Sequence, residues 1–447
     1  MSESLSAQHQ SPASEATRRA TAPEELQEVL HQAKYSTTSV EAPKEVPMME
    51  LPEGEAQAYR HLAHSIVSRT LAHEMEYHRM KRPEFSQRDW KLLKRQNDLN
   101  IYKRRSQESS RAVRPMVVCV GSIAGELEDV LYGLHAKTRE EMLLTLPFRS
   151  KGFVDCAMLA KMDGATPADP YRLLALKWHC TDVLSGSNLM KIRDLCKIES
   201  MGMSTDAQGE RYGYYLLQSV DFPGCPPPPE SSDVIRANMM FCCIYRQVPG
   251  SHVVDVYAKG MYDLGGDIPS FLVYNTSSSL MLSTIIGNME CAEAKRLTLL
   301  ALLRSEGTMH SSVEDLSAIE LEEFELTGDP AQYSNSASGI STEMTAAIAA
   351  MPPSLTRLIS KNHRKSRSRR QTSAEPCCVC EKKPMASIVG ATHRTCGVCL
   401  RGVCNKCHVK RKLFSQPKSV TVACCKSCLL EAKHLSVNPQ DQCPVLP

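Results

Sequence analysis

The chain has 447 residues, 42% hydrophobic and 23% charged, with a formal net charge of +3. A chain of this length can bury a sizeable core in two or three domains, and so small a net charge gives no reason to expect a nucleic-acid partner. The first 25 residues are rich in Ser, Ala and charge and lack the apolar stretch of a secretory leader, so the protein is expected in the cytosol.

In chain order, residues 1–50 are expected to form a disordered tail and residues 51–305 the first folded domain. The segment EAQAYRHLAHSIVSRTLAHEM places Tyr59, Leu62, Ile66 and Leu71 at helical spacing. Asp89 can cap a helical or extended piece, WKLLKRQNDLNIYKR, and Ser122 to Leu134 reads as a further helix. The period then shortens. RYGYYLLQSVDF, IRANMMFCCIYRQV and HVVDVYAKGMYDL are rich in aromatic and β-branched residues and are divided by Pro- and Gly-containing turns, which predicts an antiparallel sheet. From about Asn275 to Arg304 the apolar positions return to helical spacing, a long amphipathic helix able to close over one sheet face. The uncharged run Ile268 to Met289 is long enough to cross a bilayer, but its Ser, Thr and Asn residues would be costly in hydrocarbon. The expected class is α+β.

Residues 306–375 carry opposed charge blocks: seven acids and no base in SSVEDLSAIELEEFELTGDP, then six Lys or Arg in KNHRKSRSRR at 361–370. Such blocks predict a solvated, disordered linker. Residues 376–436 form the second expected domain and 437–447 a tail.

Ten of the nineteen cysteines fall between Cys377 and Cys428, as four Cys-x-x-Cys pairs: Cys377/Cys380, Cys396/Cys399, Cys404/Cys407 and Cys425/Cys428. Each such turn supplies two thiolates to a tetrahedral metal, so eight cysteines in a reducing compartment predict two zinc ions rather than disulfides. The gap of four residues between the second and third pairs is short for a shared metal. It suits a cross-brace in which pairs one and three hold one zinc and pairs two and four the other. With every position closed by thiolate, the metals are structural and supply most of the folding energy of so small a domain.

This spacing, the Gly402-Val403-Cys404 approach to the third pair and the VTVACCKSC approach to the fourth resemble the FYVE zinc finger, which implies binding to phosphatidylinositol 3-phosphate on endosomal membranes. The chain departs from that family in its lipid motif. It has no Trp-x-x-Asp before the first pair, it reads Thr392-His393-Arg394-Thr395-Cys396-Gly397 where a basic run would end, and it has Ala423 before the seventh ligand. Eleven Lys or Arg against two Glu between Cys377 and His434 nonetheless predict attraction to anionic membrane. The candidate contacts are Ile388 and Val389 as an inserting tip, with His393, Arg394, Lys410, Arg411 and Lys412 toward phosphate.

The larger domain has no phosphate-binding Gly loop, no nucleophile elbow and no His-Glu-x-x-His helix, and no catalytic residues are assigned. His179 reads as a strand histidine, and Asp194 and Glu199 as surface or capping carboxylates. Arg193-Asp194-Leu195-Cys196, GERYGYYLLQSV, VIRANMMFCCIYRQV, VVDVYAKGMYDLGGDIP and the closing helix are similar to START lipid-binding domains. That resemblance implies a helix-grip sheet curved around a C-terminal helix with a cavity for one apolar ligand, Arg193, Glu210 and Arg236 being candidate polar groups in it. START-like and FYVE-like modules in one chain resemble large oomycete protein families. The expected protein is a non-enzymatic, cytoplasmic lipid binder, peripheral on endosomal or other anionic membrane. The alternative is a nuclear or scaffold protein whose finger binds a protein partner and whose 361–370 run is a localisation signal.

Overall fold

The computed structural model describes residues 48–81, 85–105, 116–183, 191–305, 372–384, 393–416 and 419–446. The tail up to residue 47, the charged stretch 306–371 with its basic run 361–370, and the Ile388–Val389 tip lie outside the described residues. The chain divides into two compact units, residues 1–295 with 436–443 and residues 296–435 with 444–447.

The first unit opens with helix α1, Glu53–Arg79, which buries Ala56, Tyr59, Ala63, Val67, Thr70 and Glu74 along one stripe. Pro52 precedes its first turn; Glu53 and Glu55 lie in that turn and the basic His78 and Arg79 in the last, placements that suit the helix dipole. The WKLLKRQNDLNIYKR piece is extended rather than helical. It forms a hairpin of β1, Trp90–Gln96, and β2, Leu99–Arg104, with Asn97 at a φ of 50° in the turn.

The helix expected from Ser122 begins later. Ser122 to Ala124 complete strand β3, Met116–Ala124, held by pairing with β10, and Gly125 at a φ of 135° ends the strand before helix α2, Leu127–Leu134. Helix α3, Arg139–Arg149, is capped by Thr138, whose hydroxyl accepts from the Glu141 amide. Strands β4 (Phe153–Asp163), β5 (Leu173–Thr181), β6 (Ile192–Thr205), β7 (Arg211–Ser219), β8 (Val234–Arg236), β9 (Asn238–Gln247) and β10 (Val253–Asp263) follow.

Ten strands form one sheet in the order β1-β2-β3-β10-β9-β7-β6-β5-β4, antiparallel throughout, with β8 parallel to β6. Both faces are covered. On one, α1 packs over Leu159, Leu174, Leu176, Trp178, Ile198 and Leu216. On the other, α2, α3 and the 36-residue helix α4, Ser270–Ser305, cover Met158, Leu173, Met201, Phe241 and Val256.

Helix α4 approaches its neighbours through two glycines. A Cβ on Gly133 of α2 would stand 1.9 Å from the Asn288 carbonyl oxygen, and one on Gly287 would stand 2.3 Å from that of Phe148. Either would push α4 away from α2 or α3. After the second unit the chain returns, with Lys137 Nζ donating to the carbonyls of Gln440 and Asp441 and Gln440 Nε2 to that of Pro170.

The second unit contains the last ten residues of α4 from Arg296, a three-stranded sheet of β11 (Thr372–Ser373), β12 (His393–Thr395) and β13 (Gly402–Val403), a hairpin of β14 (His408–Leu413) and β15 (Val420–Cys425), and helix α5, Lys426–His434. Its apolar core is small: Leu297, Leu300 and Ala301 from α4 with Val398, Val403, Leu413 and Ala432. The Phe414 amide donates to Thr298 Oγ1 at 2.9 Å. Among the described residues, no helix is long and apolar enough to cross a membrane.

Candidate functional sites: two thiolate clusters and a buried polar interior

The eight paired cysteines gather into two groups, Cys377, Cys380, Cys404 and Cys407, and Cys396, Cys399, Cys425 and Cys428, the sulfurs of each within 4.8 Å of one another. Cys380 and Cys404 sulfurs are 3.7 Å apart, and Cys396–Cys428 and Cys399–Cys425 are each 3.9 Å apart. Zinc–sulfur bonds of about 2.3 Å in a tetrahedron give edges of about 3.8 Å, so both groups fit a metal of that kind.

The backbone builds the first two turns alike. The amide of Glu381 donates to the Cys377 carbonyl and that of Leu400 to the Cys396 carbonyl, and Glu381 and Leu400 stand at φ values of 57° and 59°. A non-glycine residue in this region is held there against its preference. Around the second group, the amides of Cys425 and Cys428 donate to sulfur at 3.3 and 3.4 Å, and Arg304 Nη1 to Cys428 Sγ at 3.2 Å. Around the first, burial opposes ionisation of the Cys377 thiol, but donors including the Cys380 and Val379 amides bring it down to about 6. Donation to sulfur favours thiolate, the form that binds metal. Cys424 is buried in the core and takes no place in either group, and Cys378 and Cys443 are also outside them.

Of the other candidates on this unit, His393 and Arg394 lie on β12, His393 Nε2 standing 2.8 Å from the Lys382 carbonyl oxygen. Lys410 and Lys412 are exposed on β14, whereas Arg411 between them is half-buried.

In the first unit, two of the polar groups expected in the interior, Glu210 and Arg236, are elsewhere. Glu210 is on the surface, 3.5 Å from Arg246. Arg236 grips Asp194 with two bonds of 3.0 Å, and Asp194 also accepts from the Trp178 indole, which packs on the α1 side. Arg193 is buried but spends its Nε on the Leu264 carbonyl. Asp194 and Glu199 are 1% and 2% exposed, so neither is a surface or capping carboxylate; each is taken inside by cations already there.

What sequence reading missed is the group that does face α3 and α4. On β5 and β6, Lys177 stands directly across from Lys197, His179 from Leu195 and Ala175 from Glu199. Lys177 Nζ donates to Glu199 Oε1 at 2.7 Å and to the Ala136 carbonyl at 2.9 Å. Lys197 Nζ lies 2.5 Å from His179 Nδ1. Arg149, at the end of α3, donates from Nη1 to the Tyr215 hydroxyl at 2.9 Å, while its buried Nε has no partner among the described residues. On α4, Thr276 Oγ1 and Asn288 Oδ1 are likewise buried without partners. Burial, with Lys177 and Arg149 nearby, pushes Lys197 down to about 7 against the pull of Glu199. His179 is held well below the usual histidine range by burial and by Lys197 and Arg149. Glu199 is kept ionised by Lys177, Arg149 and Lys197 although burial opposes it.

A surface cleft of about 90 Å³ lined by Gln218, Ser219, Asn238, Met239 and Met261 holds a few waters at most and is too small for a lipid.

No family model and no curated protein matches the chain in sequence. Among solved structures, the chain is similar to human StAR-related lipid transfer protein 5, at 15% identity over 52% of this chain and 98% of that one, with a TM-score of 0.37. It is also similar to a STAR-related lipid transfer protein from Xanthomonas axonopodis, at 16% identity over 46% of this chain and 98% of that one, with a TM-score of 0.32.

Proposed function

We propose that the first unit is a START-like, non-enzymatic lipid-binding domain and that its guest sits between the sheet and α4. One observation carries this reading. Among the described residues, Arg149 Nε, Thr276 Oγ1 and Asn288 Oδ1 are buried without a hydrogen-bond partner, each at a cost of about 1–3 kcal/mol that the polar part of a guest would relieve. The interior is closed in this conformation, so uptake requires α4 to part from the sheet. Organic extracts of the purified full chain, examined by mass spectrometry against an unrelated protein prepared in parallel, are expected to contain a stoichiometric lipid. A chain that carries none, and takes none from mixed vesicles, would remove the reading.

The second unit is, on the same proposal, a FYVE-like finger cross-braced by two zinc ions that brings the domain to anionic, phosphoinositide-bearing membrane such as the endosome. Support comes from the two thiolate groups and from Lys410 and Lys412 exposed on one strand. Joining the modules raises the local concentration of the lipid site at the bilayer. The zinc-loaded full chain is expected to float with vesicles containing phosphatidylinositol 3-phosphate or phosphatidylserine and to release them as salt rises. Equal flotation with neutral vesicles would defeat this half and leave the finger as a protein-binding module.

A further inference from the structure

The interior facing α3 and α4 is unbalanced in charge. Arg149, Lys177 and Lys197 are each at least nine-tenths buried, and one carboxylate, Glu199, serves all three. Lys295 of α4, also buried, adds a fourth cation and donates to the carbonyls of Tyr132 and His135. Neighbouring carboxylates hold other partners: Asp194 is bound to Arg236 and Trp178, Asp155 to Arg139, and the buried Glu141 of α3 accepts from the Lys137 amide. Lys177 and Lys197 are direct cross-strand partners, an arrangement that like charges oppose. A buried charge without a counter-charge is among the costlier features a fold can carry, and natural interiors pair such groups. Here the groups on hand do not complete the pairing, and Arg149 keeps one donor unused.

We infer that Arg149, Lys177 and Lys197 receive the anionic head, a carboxylate or phosphate, of a single amphiphile whose chain lies against the apolar part of the same interior. The inference rests on the lipid-binding reading of this unit and adds the head-group class. An anion between Lys197 and Arg149 gives Lys197 Nζ an acceptor besides His179 and the Arg149 Nε its missing one. Glu199 then neutralises Lys177, and the incoming charge offsets one of the two cations that remain, Arg149 and Lys197, or both where the head is a doubly charged phosphate. The apolar lining available to the chain includes Met281, Leu282 and Ile285 of α4 and Met158, Leu173 and Phe241 of the sheet. Burial pushes Lys197 down to about 7, and an arriving anion offsets that cost, so binding is expected to take up a proton near neutral pH.

The test uses the zinc-loaded full chain and soluble amphiphiles of one tail length, dodecanoate and dodecanol, with inorganic phosphate and acetate as heads without tails, by titration calorimetry. Dodecanoate is expected to bind at least tenfold more tightly than dodecanol. Lys197→Met is expected to weaken dodecanoate binding at least tenfold, and Lys197→Arg to keep it. Equal affinities for the two amphiphiles in the wild-type chain would overturn the anionic head and leave the lipid reading standing. Binding of neither would overturn both. Phosphate or acetate binding as tightly as dodecanoate would mean a free-anion site and overturn the amphiphile. The wild-type comparison needs no variant, so a poorly folding Lys197→Met does not rescue a failed preference.

Discussion

Cys404→Ser is expected to halve the zinc content of the purified full chain, from two ions to one, and to unfold the second unit in large part. Its apolar core is a handful of side chains, Leu297, Leu300, Val398, Val403, Leu413 and Ala432 among them. Structural zinc contributes about 10–16 kcal/mol to comparable small domains. Two residues held at positive φ, Glu381 and Leu400, add a cost that the metal must offset. Cys424→Ser provides the contrast: Cys424 is fully buried but belongs to neither group, so it should retain two ions. Metal analysis and hydrogen exchange over residues 393–416 and 419–435 measure the two effects. Full zinc and unchanged protection in Cys404→Ser would refute the assignment of that cysteine. Chelation of wild type is expected to reproduce the loss over both groups at once, and acid to do the same, because protons compete for thiolate.

The metal groups were legible in the sequence because a Cys-x-x-Cys pair is a local signal whose chemistry does not depend on the rest of the fold. The half of the sheet from β7 onward was legible too, its strands being aromatic-rich and separated by Pro and Gly turns. Strands β4 to β6 were not. β5, LLALKWHCT, is buried at all nine positions because helices cover both sides, so its alternation carries no apolar–polar contrast. The same burial hid the interior cluster. Lys177, His179, Lys197 and Glu199 look like surface residues until β5 and β6 are placed side by side, and a register in which Lys177 meets Lys197 is information no single strand contains. The choice of Glu210 and Arg236 failed for the complementary reason: they sit beside a turn or on the α1 side, where Arg246 and Asp194 satisfy them. Arg193 is buried on β6, on the face of Lys197 and Glu199, but its donors go to backbone carbonyls.

Glu199→Leu is expected to be the most damaging single change to the first unit. It leaves Lys177 Nζ without the carboxylate 2.7 Å away, in a place where Lys197 and Arg149 are already pressing on it. Removing one partner of a buried pair costs about 3–5 kcal/mol because the survivor stays buried and charged or must give up its proton. For a unit of this size that corresponds to a fall of roughly 10 °C in the unfolding midpoint. The remaining Ala136 carbonyl can solvate an ammonium but cannot neutralise it. Replacing both members separates the pair's own worth from the penalty of orphaning one of them. Lys177→Met with Glu199→Leu is expected to recover most of the loss, since buried ion pairs exchanged for apolar side chains are often neutral or stabilising. It should not recover all of it: Glu199 also draws Lys197 and Arg149, and those two cations keep no carboxylate in the double variant. Thermal denaturation of the four chains in the cycle measures the coupling. Strict additivity, with the double variant as unstable as the sum of the singles, would mean that Lys177 and Glu199 do not act on each other across the strands. The charge imbalance would then have to be traced to Arg149 and Lys197 alone.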